Sequence, residues 1–234
     1  MDPVARVNNK KYYWIGHIFV NMFYLIDSEF PDPNFADQEG LLAIGGNLEP
    51  DTLIKAYKNG IFPWYRDDEP ILWWSPDPRL ILFPAEVVLS KSMKQVLKKN
   101  PFRFTIDASF ETVMEECRNC RLQKEGSWIT DEIKNAYLKL FRLGYVHSVE
   151  VWMGNDLVGG LYGVQIEKVF FGESMFSKQN NASKAALIFW AEHCVQTGIE
   201  LIDCQQSTAH LKSMGAIDIS RKRFLELLKI LIKE

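Results

Sequence analysis

Between His147 and Gln205 the chain reads as three turn-separated β runs, a long helix and one more strand, an order that narrows its fold more than any other feature. The runs are "HSVEVWM", "LVGGLYGVQI" and "KVFFGES", the first two joined across Gly154-Asn155-Asp156. β-Branched and aromatic residues punctuated by turn formers predict an antiparallel meander. "NASKAALIFWAEHCVQTG" predicts a helix stopped by its glycine, and "ELIDCQ" a strand that returns to the sheet. Antiparallel strands, a helix and a returning strand make a mixed α/β (α+β) sheet. Upstream, Ser90 to Lys99, Ala108 to Cys120 and "DEIKNAYLKLFRLG" have helical spacing, with Phe110, Val113, Met114 and Cys117 on one face of the second.

Residues 27–78 have another texture, rich in Pro, Gly and Trp, and predict a small loop-rich N-terminal domain. Within it "DTLIKAYKNG" reads as a short helix with Asp51 as N-cap and Gly60 as its stop. Residues 79–234 then form the larger domain, and residues 1–26 an extension whose role the sequence leaves open. Tyr12 to Ile26 is apolar and follows Lys10-Lys11, but it is shorter than the roughly 20 residues that span a bilayer. Gly16, His17 and Asn21 interrupt it, and no small-x-small cleavage site follows. A strand-forming arm or an added extension is the expectation, with Met22 as a plausible start, and no membrane anchor.

Net charge is −3, with 47% hydrophobic and 24% charged residues, so any basic patch must be local and balanced elsewhere. The four cysteines lack the spacing of a secreted scaffold, which predicts reduced thiols and a cytoplasmic protein. Cys117-x-x-Cys120 has no second pair and no histidine at ligand spacing. There is no H-E-x-x-H, P-loop or G-x-G-x-x-G, and "GESMF" has Phe176 where a nucleophile elbow needs its second glycine. No metal, nucleotide or other cofactor is expected.

Four features carry possible chemistry. Glu173 is a lone carboxylate in "VFFGESMFS", beside Gly172, where another backbone or a ligand can come close. Burial there raises its pKa and a cationic partner lowers it; a structural ion pair accounts for it more economically from this stretch alone. Strand alternation in "LIDCQQ" points Asp203 and Gln205 one way and Ile202 and Cys204 the other. Trp64, in "GIFPWY", and Trp128, in "GSWIT", are indoles on loops, able to stack on unpaired bases or simply to fill a core. "SKSMKQVLKKNPFR" holds Lys91, Lys94, Lys98 and Lys99 without an acid, either a phosphate-contacting strip or a solvated helix face.

Together these segments resemble the leucyl/phenylalanyl-tRNA–protein transferase family. The resemblance runs from about Phe30 to Phe224 and rests on ordered blocks, among them "GLLAIGGNL", "AYKNGIFPW", "PILWWSPDPR", "SWIT", "LVGGLYGV", "FFGESMFS", "NASKAAL", "LIDCQ" and "HLKSMGAIDISR". It implies a small N-terminal domain followed by a GCN5-related acetyltransferase-like domain. It also implies transfer of Leu or Phe, and Met less well, from aminoacyl-tRNA to proteins with N-terminal Arg or Lys, which marks them for proteolysis.

By the same resemblance, Glu173, Asp203 and Gln205 are the catalytic polar residues. Gln205 would accept a hydrogen bond from the amine, with Asp203 polarising and orienting it. Leu161, Phe170, Met175 and Leu187 would line the aminoacyl pocket, whose pliable walls suit Leu, Phe or Met. Trp64 and Trp128, with Tyr57 close by, would meet the terminal adenosine, and the lysine strip the acceptor stem. A monomer is the default expectation. An acyl-CoA acetyltransferase would need a Q/R-x-x-G-x-G/A loop, which is missing; a non-catalytic tRNA-binding module would not need Glu173, Asp203 and Gln205.

Overall fold

Short strands and turns dominate the front of the chain because proline and glycine leave few residues free to propagate a helix. The computed structural model describes residues 10–15, 18–25, 28–99, 101–122 and 128–233. Strands β1 (Lys10–Ile15) and β2 (Ile18–Leu25) form an antiparallel hairpin, and β2 lies parallel to β3 (Leu41–Gly45). Most of the apolar stretch of the extension is therefore a strand-forming arm; residues 1–9 lie outside the described residues.

Helix α1 (Pro50–Lys58) follows β3, then β4 (Phe62–Pro63) and β5 (Leu72–Trp74), which complete a sheet ordered β1-β2-β3-β5-β4. The N-cap of α1 is Glu49, not Asp51 as expected. Pro50 takes the first turn, where its fixed φ and missing N–H do no harm, and Asp51 sits inside that turn, against the positive helix end. The buried face of α1 is Thr52, Leu53, Ala56 and Tyr57.

The larger sheet begins with β6 (Arg79–Leu82). After it come α2 (Lys91–Lys98), β7 (Arg103–Ile106), α3 (Phe110–Leu122) and α4 (Asp131–Arg142). The meander is β8 (Val146–Met153), β9 (Asp156–Ile166) and β10 (Val169–Ser177), antiparallel throughout. Helix α5 (Ala182–Thr197) crosses over to β11 (Leu201–Gln205), which lies parallel to β10. Helix α6 (Ala209–Lys212), β12 (Ile217–Ile219) and α7 (Arg221–Leu231) end the described chain. The order is β12-β6-β11-β10-β9-β8-β7, a mixed sheet in a mixed α/β fold. No helix among the described residues is long and apolar enough to cross a membrane.

Alternation along the strands divides the interior in two. Tyr162, Phe171 and Leu201 join a core with Tyr57, Trp73, Val113, Tyr137 and Phe224, which knits the smaller sheet, α1, α3, α4 and α7 together. Their neighbours Leu161, Phe170 and Ile202 face the opposite core, with Ala186, Leu187 and Trp190 of α5. The predicted face of α3, Phe110, Val113, Met114 and Cys117, is the buried one.

Glycines on β9 set the close approaches. A Cβ on Gly159 would stand 2.6 Å from the Ala182 Cβ, so α5 starts hard against the strand. A Cβ on Gly163 would overlap the Phe171 carbonyl and come within 2.5 Å of the Phe170 ring. Gly163→Ala should therefore displace Phe170 and destabilise the fold by about 1–3 kcal/mol, as overpacking does; a denaturant midpoint unchanged from wild type would contradict this.

Candidate functional site

Strands β10 and β11 pair only from Val169↔Leu201 to Phe171↔Asp203, although β10 continues to Ser177. Both are irregular at the point of separation. On β10, Gly172 and Ser174 oppose the consecutive residues Gly163 and Tyr162, so Glu173 is an extra residue in the ladder. On β11, Asp203 and Gln205 oppose the consecutive residues Ile81 and Leu80, so Cys204 is the extra one, and Gln205 takes φ 61°. Such insertions bend the strand and re-aim side chains. A cavity of about 360 Å³ opens here, with Leu161, Phe170, Met175, Leu187 and Ile202 on its apolar side and Glu173 and Gln205 among its polar groups.

Glu173 is only 6% exposed. Its Oε1 accepts hydrogen bonds from the Tyr57 hydroxyl at 2.8 Å and from Gln205 Nε2 at 3.0 Å; its Oε2 accepts from the Tyr137 hydroxyl at 3.0 Å. The two tyrosine hydroxyls also contact each other. Among the described residues Glu173 forms no ion pair, so the structural salt bridge weighed from sequence is not what holds it. Burial pushes its carboxyl up to about 7, against the pull of the Tyr57 and Tyr137 hydroxyls; nearby Asp203 raises it further, and the Gln205 amide lowers it. Burial and the Glu173 charge hold the Tyr57 and Tyr137 hydroxyls well above the usual tyrosine range, so both remain donors.

Asp203 does not share the cavity with Gln205, contrary to simple alternation. It is 0% exposed and accepts from Arg79 Nε at 2.8 Å and Nη2 at 2.6 Å. Its Oδ1 also accepts from the Gln205 backbone N–H at 2.9 Å, closing the turn that sends the Gln205 side chain toward Glu173. Ile202, Cys204 and Gln205 line the cavity instead. Gly172 is not required by a close approach: a Cβ there would meet only the Asp203 carbonyl at 3.4 Å, an ordinary contact.

The four expected pocket residues, Leu161, Phe170, Met175 and Leu187, do come together, and Trp64 and Trp128 line the same cavity. Trp64 is 38% exposed and Trp128 9%. Tyr57 is a correction: at 0% exposure it cannot meet a base, because the apolar face of α1 turns it inward to Glu173. Lys91, Lys94, Lys98 and Lys99 are exposed, with Met93 anchoring α2 beneath them. Cys117 and Cys120 are free thiols, and burial pushes the Cys117 thiol up to about 12.

Sequence reasoning missed Tyr137 and Arg79. Tyr137 had a signal: a hydroxyl on the apolar face Ile133, Ala136, Tyr137 and Leu140 of α4 needs a buried partner. Arg79, opening a short apolar strand, had none.

Two family profiles match the chain: one described as leucyl/phenylalanyl-tRNA protein transferase over residues 81–229, and one for the N-terminal domain of the same proteins over residues 46–77. The leucyl/phenylalanyl-tRNA–protein transferase of Syntrophobacter fumaroxidans is 52% identical over 85% of this chain and 86% of its own. That of Shewanella sp. is also 52% identical, over 85% of each chain. Among solved structures, a GCN5-related N-acetyltransferase from Kribbella flavida follows a similar course at TM-score 0.38 and 12% identity, covering 73% of this chain and 60% of that one.

The position of Glu173 has a consequence for stability. Its carboxyl holds a proton up to about 7 when folded and only to the ordinary 4.5 when unfolded. Below pH ~4.5 both states are protonated; between pH ~4.5 and ~7 the unfolded chain releases its proton first, and wild-type stability falls as pH rises. The thermal midpoint of wild type measured against Glu173→Gln should drop across that window and level off above it; a pH-independent difference would refute the assignment.

Proposed function

The chain belongs to the leucyl/phenylalanyl-tRNA–protein transferase family and is an aminoacyltransferase, and on that footing we propose that it moves Leu or Phe, and Met less well, from aminoacyl-tRNA to the N-terminal Arg or Lys of acceptor proteins, creating an N-degron. The observation that carries this reading is an apolar cavity whose wall ends at a buried carboxylate paired with an amide. Its volume suits a Leu, Phe or Met tail with part of the ester; a β-branched tail, stiff at χ1, fits less well.

The ester is already activated, so the protein has only to orient two reactants and move a proton. An α-ammonium with a pKa of roughly 8 must lose its proton before it can attack. Glu173 suits that step, because a base titrating near working pH is both available and effective. In the proposed sequence the ionised carboxylate binds the ammonium and takes one proton. The amine lone pair attacks the ester carbonyl carbon, the bond from that carbon to the ribose oxygen breaks, the departing oxygen recovers the proton from Glu173, and the nitrogen sheds its second proton to solvent, leaving a neutral amide.

Gln205 fits beside it: with its Nε2 donating to Glu173, its Oε1 is left to accept a hydrogen bond from the amine. Asp203 acts from behind the strand, fixing the Gln205 backbone rather than touching the substrate. Trp64 and Trp128 offer indole faces to the terminal adenosine, while Tyr57 joins Tyr137 in holding Glu173. The lysines of α2 fit the acceptor stem. Lys91 and Lys94 stand in the first half of the helix, where the macrodipole disfavours cations, so helix stability does not account for them.

Supplied with Phe-tRNA and peptides beginning Arg, Lys, Ala or Glu, the protein should add the mass of one Phe to the first two only. Labelling of all four alike would refute the acceptor specificity. Glu173→Gln should lower kcat on the Arg peptide by about 10²- to 10⁴-fold, the range of a lost general base, whereas wild-type turnover would remove Glu173 from the mechanism. Binding of tRNA should weaken with salt, with a slope reduced by about 0.7–0.9 for each phosphate-contacting lysine of α2 replaced by Ala; an unchanged slope would leave the strip a solvated face.

A further inference from the structure

Arg121, on the last turn of α3, lines the cavity but has no place in the chemistry above. Its Nε donates to the Ser174 hydroxyl at 3.2 Å, and its guanidinium stands 5.7 Å from the centre of a Trp128 ring. Among the described residues it has no carboxylate partner. Three other arginines do: Arg118, one turn earlier, pairs with Asp131, the buried Arg79 with Asp203, and Arg223 with Glu226. A half-buried guanidinium with Nε anchored and no carboxylate partner among the described residues is prepared to grip an anion through its other N–H groups.

A second, independent observation points to the same ligand class. Tyr162 is fully buried among the residues that line the cavity, and its hydroxyl has no hydrogen-bond partner among the described residues. Its ring packs edge-on against Phe110 and Tyr137. Cys117, Glu173 and Arg121 all lie within its electrostatic reach. A buried donor without an acceptor is unfavourable and rare in native proteins, and a ligand oxygen is one remedy.

The sign of the charge selects the ligand. A cationic acceptor terminus is repelled by Arg121, and the transferred tail carries no anion; the donor nucleic acid carries one at every phosphate. We propose that Arg121 and the Tyr162 hydroxyl bind a phosphate oxygen of the donor's terminal nucleotide, beside Trp128, as a contact separate from the α2 lysines. The proposal rests on the transfer reading above.

Three phenylalanyl donors separate the two: Phe-tRNA, the ester of adenosine 5′-monophosphate, and the ester of adenosine without phosphate, each assayed with an Arg peptide. Arg121→Gln and Tyr162→Phe should each raise KM for the two phosphate-bearing donors by roughly 10- to 100-fold, as loss of a hydrogen bond to a charged group does, with little change in kcat. Both variants should use the adenosine ester as wild type does. Equal losses on all three donors, or none on any, would overturn the phosphate site, and a loss confined to one variant would overturn the pair. Tyr162→Phe should not lower the melting temperature, since its hydroxyl gives up no bond in the free protein; a clear fall would make it a structural group and overturn its part. Wild-type protein silent on all three donors would sink the transfer reading and this site with it.

Discussion

Arg79 and Asp203 are both removed from water, and what each does for the other sets the geometry of everything nearby. Two hydrogen bonds join guanidinium and carboxylate, and the Phe62 and Phe224 rings pack against the guanidinium at 4.8 and 4.7 Å. A buried pair of this kind adds little net stability over an apolar replacement, whereas loss of one partner strands a charge and costs about 3–5 kcal/mol. Its use here is positional. Asp203 Oδ1 accepts from the Gln205 N–H as well as from Arg79 Nε, which holds Gln205 at positive φ and turns its amide into the cavity. The order in the cavity wall is thus inherited from a charge pair behind it.

At Glu173 two effects oppose each other, and removal from water wins. Removal from water favours the protonated acid, and three neutral donors favour the anion. The balance falls near neutrality, where a small change of surroundings decides the proton's position. A lysine in place of either tyrosine would neutralise the carboxylate permanently and leave it no attraction for a second cation. Tyrosines support the charge without quenching it, and their own protons are held too tightly to compete.

What could be read beforehand depended on how local the cause was. The meander and the buried face of α3 follow from periodicities within single segments, whereas the convergence of Leu161, Phe170, Met175 and Leu187 is implied by the family resemblance alone. The shared face expected of Asp203 and Gln205 is lost because a one-residue insertion breaks the strand period, while Gln205 still reaches the cavity. Tyr57 went wrong because a helix of nine residues has no inside until other elements cover it. Arg79 stands 124 residues from Asp203, and no spacing rule reaches that far. Strands β4 and β12, of two and three residues, carry too few side chains for any alternation to show.

Tyr57 belongs to the front of the chain, yet its hydroxyl completes the setting of an acid on β10, 116 positions later. The two halves therefore share, besides a common core, a hydrogen bond that sets the acid's proton affinity. A front segment borrowed from some other protein would have to deliver a phenol to that spot, oriented within a few tenths of an ångström, or leave the acid with a changed appetite for protons. Evolution can vary the outward loops of this region freely, but it has to inherit the inward face of α1 together with β10, as one unit.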